Sequence, residues 1–112
     1  MPGGARSVDK VHFVIGRLLG APDGWRALVR DMVATWPDAP ATELIYAIVT
    51  AASEIEGTFA PGSPSRDASG HAWRLAALLG VDLYAMEALG LPHRRAGDFT
   101  VYWQIDPYFR DL

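Results

Sequence analysis

The sequence predicts a single, mainly α-helical domain: a compact bundle of four to five helices with one C-terminal β-strand or extended arm. Three observations lead to this prediction. The chain has 112 residues, the length of one ordinary domain, and half of them are hydrophobic. Apolar residues recur at helical spacing through most of the chain. Near the C-terminus this spacing changes to alternation. We therefore expect one globular domain over residues 1–112, with residues 1–7 disordered.

The first predicted helix covers residues 8–19. Val8, Val11 and Ile15 share one face there with the leucines that follow, as expected for an amphipathic helix. A strand over residues 11–15 is the competing interpretation, because this short apolar run also fits an extended segment.

Two further helices are predicted over residues 23–36 and 41–56. Asp23 can cap the first of them, and Pro37 follows its last residue, where a helix is expected to stop. Each segment carries a continuous apolar stripe, and the short proline-bounded connection favours antiparallel packing of the two. The predicted core of this pair is Trp25, Leu28, Val29, Met32, Val33, Leu44, Ile48 and Val49.

The middle of the chain predicts a long loop followed by two short helices. Glycines, prolines and polar residues fill the segment 57–68, and a loop of this length is more often functional or mobile than a simple connector. The apolar spacing then predicts helices over 69–79 and 83–89. Gly80 would end the first of these helices, and Asp82 would cap the second.

The pair of short helices over residues 71–89 resembles the general pattern of DNA-binding helix-turn-helix units. Ala76 is the small residue that the pattern places under the second helix, and Gly80 falls at the turn. The reading surface departs from the pattern, because the second helix offers Asp82 and Glu87 and no basic side chain to a polyanion. The possible nucleic-acid contacts are Arg74, Arg94 and Arg95.

The C-terminal segment predicts a strand over residues 99–105, where large apolar residues alternate with more polar ones. A lone strand leaves its backbone groups unpaired, so it needs a partner strand from this chain, a second copy or another protein. The segment is also rich in aromatic residues, which are enriched at contact surfaces. Packing of the same side chains into the helical core is the alternative. The predicted interaction residues are Phe99, Tyr102, Trp103, Tyr108 and Phe109.

Composition narrows the classes of function. The chain has no cysteine, which excludes disulfides and thiolate chemistry. The net charge of −3 gives no electrostatic reason to expect a polyanionic partner, and no apolar run reaches membrane-spanning length. We expect a cytoplasmic protein without a membrane partner. Nine of the ten basic residues are arginine, which suggests a bacterial gene.

No catalytic, metal or cofactor site emerges from the motifs. The three histidines have no metal-ligand spacing, and no nucleophile or phosphate-binding motif is present. Glu56 lies at the mouth of the predicted loop and could act as a general base, or it could pair with an arginine. His71 is the other candidate near that loop.

The prediction is therefore a small protein–protein interaction module with a regulatory, accessory or assembly role, and a homodimer is the simplest form. A DNA-binding regulator that uses residues 71–89 is the first alternative. A small enzyme with a carboxylate or a histidine near the 57–68 loop is the second.

Overall fold

The computed structural model describes the backbone of residues 3–112 and the side chains of residues 7–112. This part of the chain is compact and mainly helical, with six α-helices and one 3₁₀ turn. In chain order these are α1 (Gly3–Gly20), α2 (Leu28–Thr35), α3 (Ala41–Thr58), α4 (Pro64–Ala88), the 3₁₀ turn (Ala96–Asp98), α5 (Phe99–Tyr102) and α6 (Tyr108–Asp111).

Helix α3 is the centre of the fold. It packs most extensively against α4 and also against α1, whereas its packing on α2 is slight. The antiparallel α2–α3 pair predicted from the sequence is therefore not the main contact. The predicted core residues of both helices are nevertheless buried, except that Trp25 and Val49 are half-buried. The fully buried face of α3 consists of Ala41, Leu44, Ala47, Ile48, Ala51, Ala52 and Ile55.

At the N-terminus the prediction of a helix is confirmed, and the competing strand over residues 11–15 does not form. Helix α1 begins at Gly3, within the segment 1–7 for which the sequence predicts disorder; residues 1 and 2 lie outside the described residues. The next helix is shorter than predicted, because residues 22–27 form turns before α2 begins. Within these turns Gly24 packs so closely on the end of α1 that a Cβ there would clash with the carbonyl oxygen of Arg17.

The predicted turn between two helices at Gly80 is wrong, because α4 continues through this residue without a break. One glycine in a helix costs only about 1 kcal/mol relative to alanine. Leu75, Leu79 and Met86 are all buried on the inner face of α4, on both sides of Gly80. The free energy gained by burying them exceeds the cost of the glycine. The structure therefore lacks the two-helix geometry of the helix-turn-helix resemblance.

The connection between α3 and α4 is also shorter than the predicted 57–68 loop, since only residues 59–63 lie outside the two helices. Ser63 caps α4 by accepting a hydrogen bond from the Arg66 backbone N–H at 3.1 Å, and proline follows it at the first helical position. The Arg66 guanidinium donates to the carbonyl oxygens of Glu56 and Phe59, at 3.2 and 3.0 Å. These bonds satisfy the last turn of α3 and fix the connection.

The predicted C-terminal strand is wrong, since residues 99–102 form α5 and no strand occurs within the described residues. The segment before α5 is held by backbone bonds across an isolated antiparallel bridge between Pro40 and Arg95. The Asp98 carboxylate then accepts the backbone N–H groups of Arg94 and Arg95, at 3.1 and 3.0 Å. These hydrogen bonds form the turn that leads into α5, so the chain does not continue as an extended segment.

Candidate functional site

The candidate site is the junction of α4 and α5, where Asp82 lies on the inner face of α4. Asp82 continues the stripe formed by Leu75, Leu79 and Met86, so the packing of α4 carries its carboxyl group inward. Only 8% of the residue is exposed. No hydrogen bond or ion pair to the Asp82 carboxylate occurs among the described residues.

Two other oxygen-bearing side chains, both in the C-terminal segment, interact electrostatically with Asp82. Tyr102 is buried on α5, and Asp106 follows in the turn that closes when its backbone N–H donates to the Tyr102 carbonyl at 2.9 Å. Burial, and then the negative charge of Asp106, raise the pKa of Asp82 from 3.8 to about 6. Burial and the two carboxylates also raise the pKa of Tyr102 above its ordinary value. The carboxylates of Asp82 and Asp106 therefore act on each other electrostatically at this junction.

Exposed apolar side chains flank the two carboxylates. Val81 precedes Asp82 and is 63% exposed, and Ile105 precedes Asp106 and is 62% exposed. Val101 on α5 is exposed as well. A carboxylate with exposed aliphatic side chains beside it can bind a cationic group that is carried on an aliphatic chain. We call Val81, Asp82, Tyr102, Ile105 and Asp106 the α4–α5 site.

The structure places the predicted interaction residues mainly in the core. Phe99, Tyr102, Trp103 and Phe109 are buried, and only Tyr108 is exposed. The indole ring of Trp103 packs between the two phenylalanines, with ring centroids 6.3 Å from each. This corresponds to the alternative in which the aromatic residues complete the helical core.

The three arginines predicted as nucleic-acid contacts lie on different elements. Arg74 is exposed on α4, whereas Arg94 and Arg95 precede the 3₁₀ turn. Arg95 also lies 3.7 Å from the carboxylate of Asp38. The described structure therefore does not assemble these residues on one helical reading surface.

Glu56 and His71 have local partners. The Glu56 carboxylate accepts hydrogen bonds from Trp73 Nε1 at 2.6 Å and from the Ser69 hydroxyl at 3.4 Å, which links α3 to α4. The His71 ring stacks on Trp25, with centroids 4.6 Å apart and planes within 5°. These contacts tie helices and turns together. The predicted pairing of the Glu56 carboxylate with an arginine does not occur among the described residues, since the nearby Arg66 donates to the backbone carbonyls at the end of α3.

A second polar region surrounds Lys10, which is only 2% exposed. Its ammonium lies 3.1 Å from the Glu43 carboxylate and 5.1 Å from the centre of the Trp36 ring. It borders a cleft of about 460 Å³ between α1 and the connection from α2 to α3. Because the buried charge is paired, we interpret this cluster as a link between α1 and α3.

Sequence reasoning treated Asp82 as a helix cap and so missed its place in the site. The signal was the spacing of Leu75, Leu79, Asp82 and Met86, which is that of one apolar stripe with a carboxylate in it. A charge at such a position is a desolvated charge.

No protein-family model, curated protein or solved structure matches the chain. Among the described residues, no helix is both long and apolar enough to cross a membrane. In the same part of the chain, no three histidine, aspartate or glutamate side chains are grouped as metal ligands would be.

Proposed function

We propose that this chain is a protein-binding module that docks a partner protein on the surface of α4 and α5. One observation carries the proposal: large apolar side chains are left exposed on these two helices, which pack against each other. They include Val81 and Tyr84 on α4, of which Tyr84 is 76% exposed, and Val101 on α5; Ile105 is exposed in the turn after α5. Exposed apolar groups beside polar ones are typical of protein interaction surfaces.

The negative charge of the α4–α5 site argues against DNA as the ligand of this surface, because Asp82 and Asp106 would repel phosphates. The homodimer, the cytoplasmic location and the bacterial origin predicted from the sequence stay predictions.

Site-directed photo-crosslinking in the host cell tests the proposal. A benzoylphenylalanine is placed at position 81 or at position 105, and the control position is Tyr46, which is exposed on α3. We expect positions 81 and 105 to capture one and the same protein, which mass spectrometry identifies, and position 46 to capture it much less. Equal capture at all three positions, or no capture at 81 and 105, would contradict the proposal.

A further inference from the structure

The indole nitrogen of Trp103 has no hydrogen-bond acceptor. Among the described residues, its Nε1 is the one buried side-chain nitrogen or oxygen without a partner. The residue is only 5% exposed, and the rings of Phe99 and Phe109 pack against it. An indole N–H can only donate, so it needs an acceptor that the described residues do not supply. A buried donor without an acceptor costs folding free energy and calls for an explanation.

Trp103 lines a cleft between α2 and the C-terminal segment. The cleft has a volume of about 430 Å³, which lies within the range of pockets that hold small ligands. Helix α2 and the residue after its end form one wall, and the 3₁₀ turn and α5 form the other. We call it the Trp103 cleft, and its lining includes Arg30, Val33, Ala34, Pro37, Thr100 and Trp103.

Arg30 is the one charged residue in this lining. Its guanidinium donates to the Arg110 carbonyl at 2.7 Å, which is the only hydrogen bond of this side chain within the described residues. A guanidinium has five N–H donors, so most of them stay available. Asp111 acts on Arg30 electrostatically, but its carboxylate bonds Arg110 and forms no ion pair with Arg30 in the described structure. The cleft therefore offers a positive charge with donors to spare.

We infer that the Trp103 cleft binds a small carboxylic acid with an apolar body. The carboxylate oxygens would accept hydrogen bonds from the Arg30 guanidinium and from Trp103 Nε1, so one group supplies the counter-charge and the missing acceptor. The apolar body would lie against Val33, Ala34 and Pro37. Because Nε1 is itself covered, the carboxylate reaches it only when the indole ring shifts, and binding should change the surroundings of this ring.

The few polar groups of the lining favour a small molecule over a peptide segment. A peptide brings backbone N–H and C=O groups that need partners of their own when they are buried. The Thr100 hydroxyl, a further polar group of the lining, already donates to the Gly97 carbonyl at 2.7 Å. The Trp103 cleft shares no residue with the α4–α5 site, so its ligand is independent of the proposed function.

NMR titration of the full chain with 3-phenylpropionate tests the inference. The matched probe is 3-phenylpropanamide, which has nearly the same shape without the charge. We expect the acid to shift the indole N–H signal of Trp103 saturably at neutral pH, with a Kd on the order of 1 mM. The amide should bind at least about tenfold more weakly, because the charge-assisted bonds are lost. The indole signal of Trp73, which already donates to Glu56, should stay in place.

Variants locate the binding. Arg30→Gln should weaken the acid about tenfold, since it removes the charge and keeps a donor for the Arg110 carbonyl. The control is Arg26→Gln, an exposed arginine outside the cleft lining, which should bind the acid like the wild type. Trp103→Phe assigns the indole signal by its loss and should weaken the acid about fivefold, because the ring stays and the donor is lost. Trp73→Phe is its control, and melting curves check that each variant folds.

Equal binding of the acid and the amide would overturn the inference, and so would equal weakening by Arg30→Gln and Arg26→Gln. Saturable shifts elsewhere without a shift of the Trp103 indole signal would overturn it by placing the acid outside the cleft. The absence of any saturable shift at tenfold the expected Kd would do the same. N-acetylphenylalanine that bound at least about tenfold more tightly than 3-phenylpropionate would replace the small acid by the carboxyl end of a peptide.

Discussion

Two buried ionisable side chains, Lys10 and Asp82, have opposite effects on the stability of the fold. Lys10 is almost fully buried, but its charge meets the Glu43 carboxylate at 3.1 Å and the face of Trp36. Asp82 is also buried, and the charged group that acts on it is a second carboxylate, that of Asp106. The first arrangement stabilises the folded chain, whereas the second destabilises it, and residues that destabilise a fold are often retained for binding.

Replacing Glu43 tests the first arrangement. We expect Glu43→Gln to lower the free energy of unfolding by about 2–3 kcal/mol. Breaking a fully buried ion pair costs roughly 3–5 kcal/mol, but Glu43 is 20% exposed and loses less. Urea unfolding followed by circular dichroism measures the change, with Glu54→Gln on the exposed side of the same helix as the control. An unchanged unfolding midpoint in Glu43→Gln would show that the pair contributes nothing.

Replacing Asp82 tests the second arrangement. The folded chain holds the Asp82 proton up to about pH 6, whereas the unfolded chain releases it near pH 3.8. The contribution of this group to stability is therefore fully present below pH 3.8 and is lost as the pH rises to about 6. Asparagine has no such loss, so Asp82→Asn should raise the melting temperature at pH 7.5 and change it little at pH 3.5. A difference that stays the same at both pH values would contradict this cause.

At the scale of elements, the sequence predicted the helices whose apolar stripes are continuous and whose ends have strong signals. The helix over residues 41–56 is confirmed, with only two more residues at its end. The errors occurred where a local signal competed with packing. Gly80 is a stop signal, but buried residues on both sides carry the helix through it. The alternating segment 99–105 also contains Phe99, Tyr102 and Trp103 at the helical spacing i, i+3 and i+4. These three residues are buried in the structure, so their packing into the core favours the helix over the strand.

The continuous form of α4 can be tested at Gly80. A Cβ at this position meets no atom within 4 Å, so Gly80→Ala should raise the free energy of unfolding by about 0.5–1 kcal/mol. The control is Gly90→Ala, which should lower it, because Gly90 has a φ of +72° that alanine adopts only with strain. If Gly80→Ala destabilised the chain as Gly90→Ala does, a turn at residue 80 would be indicated.

At the scale of the molecule, the C-terminal segment serves both the core and the candidate site. Its buried aromatic residues anchor it, and the Arg30 guanidinium on α2 donates to the Arg110 carbonyl at 2.7 Å. The same segment supplies Tyr102, Ile105 and Asp106 to the site. The spacing along α4 indicates that Asp82 lies on the buried stripe, but it does not indicate which segment packs there. That depends on the packing of α5 against α4, which joins residues distant in the chain and which no local pattern reports.

The anchoring of this segment can be separated from a role between molecules by comparing two adjacent aromatic residues. Phe109 is buried and Tyr108 is exposed, although their rings touch edge to face at 5.2 Å. We expect Phe109→Ala to lower the free energy of unfolding by about 3–5 kcal/mol, and Tyr108→Ala to lower it by about 1 kcal/mol or less. If Phe109 serves the core of its own chain, the loss is the same at every protein concentration, because no association is involved. Thermal unfolding over a hundredfold range of concentration distinguishes the cases. A Phe109→Ala variant that kept its melting temperature but lost a concentration-dependent association would assign the segment to an intermolecular contact.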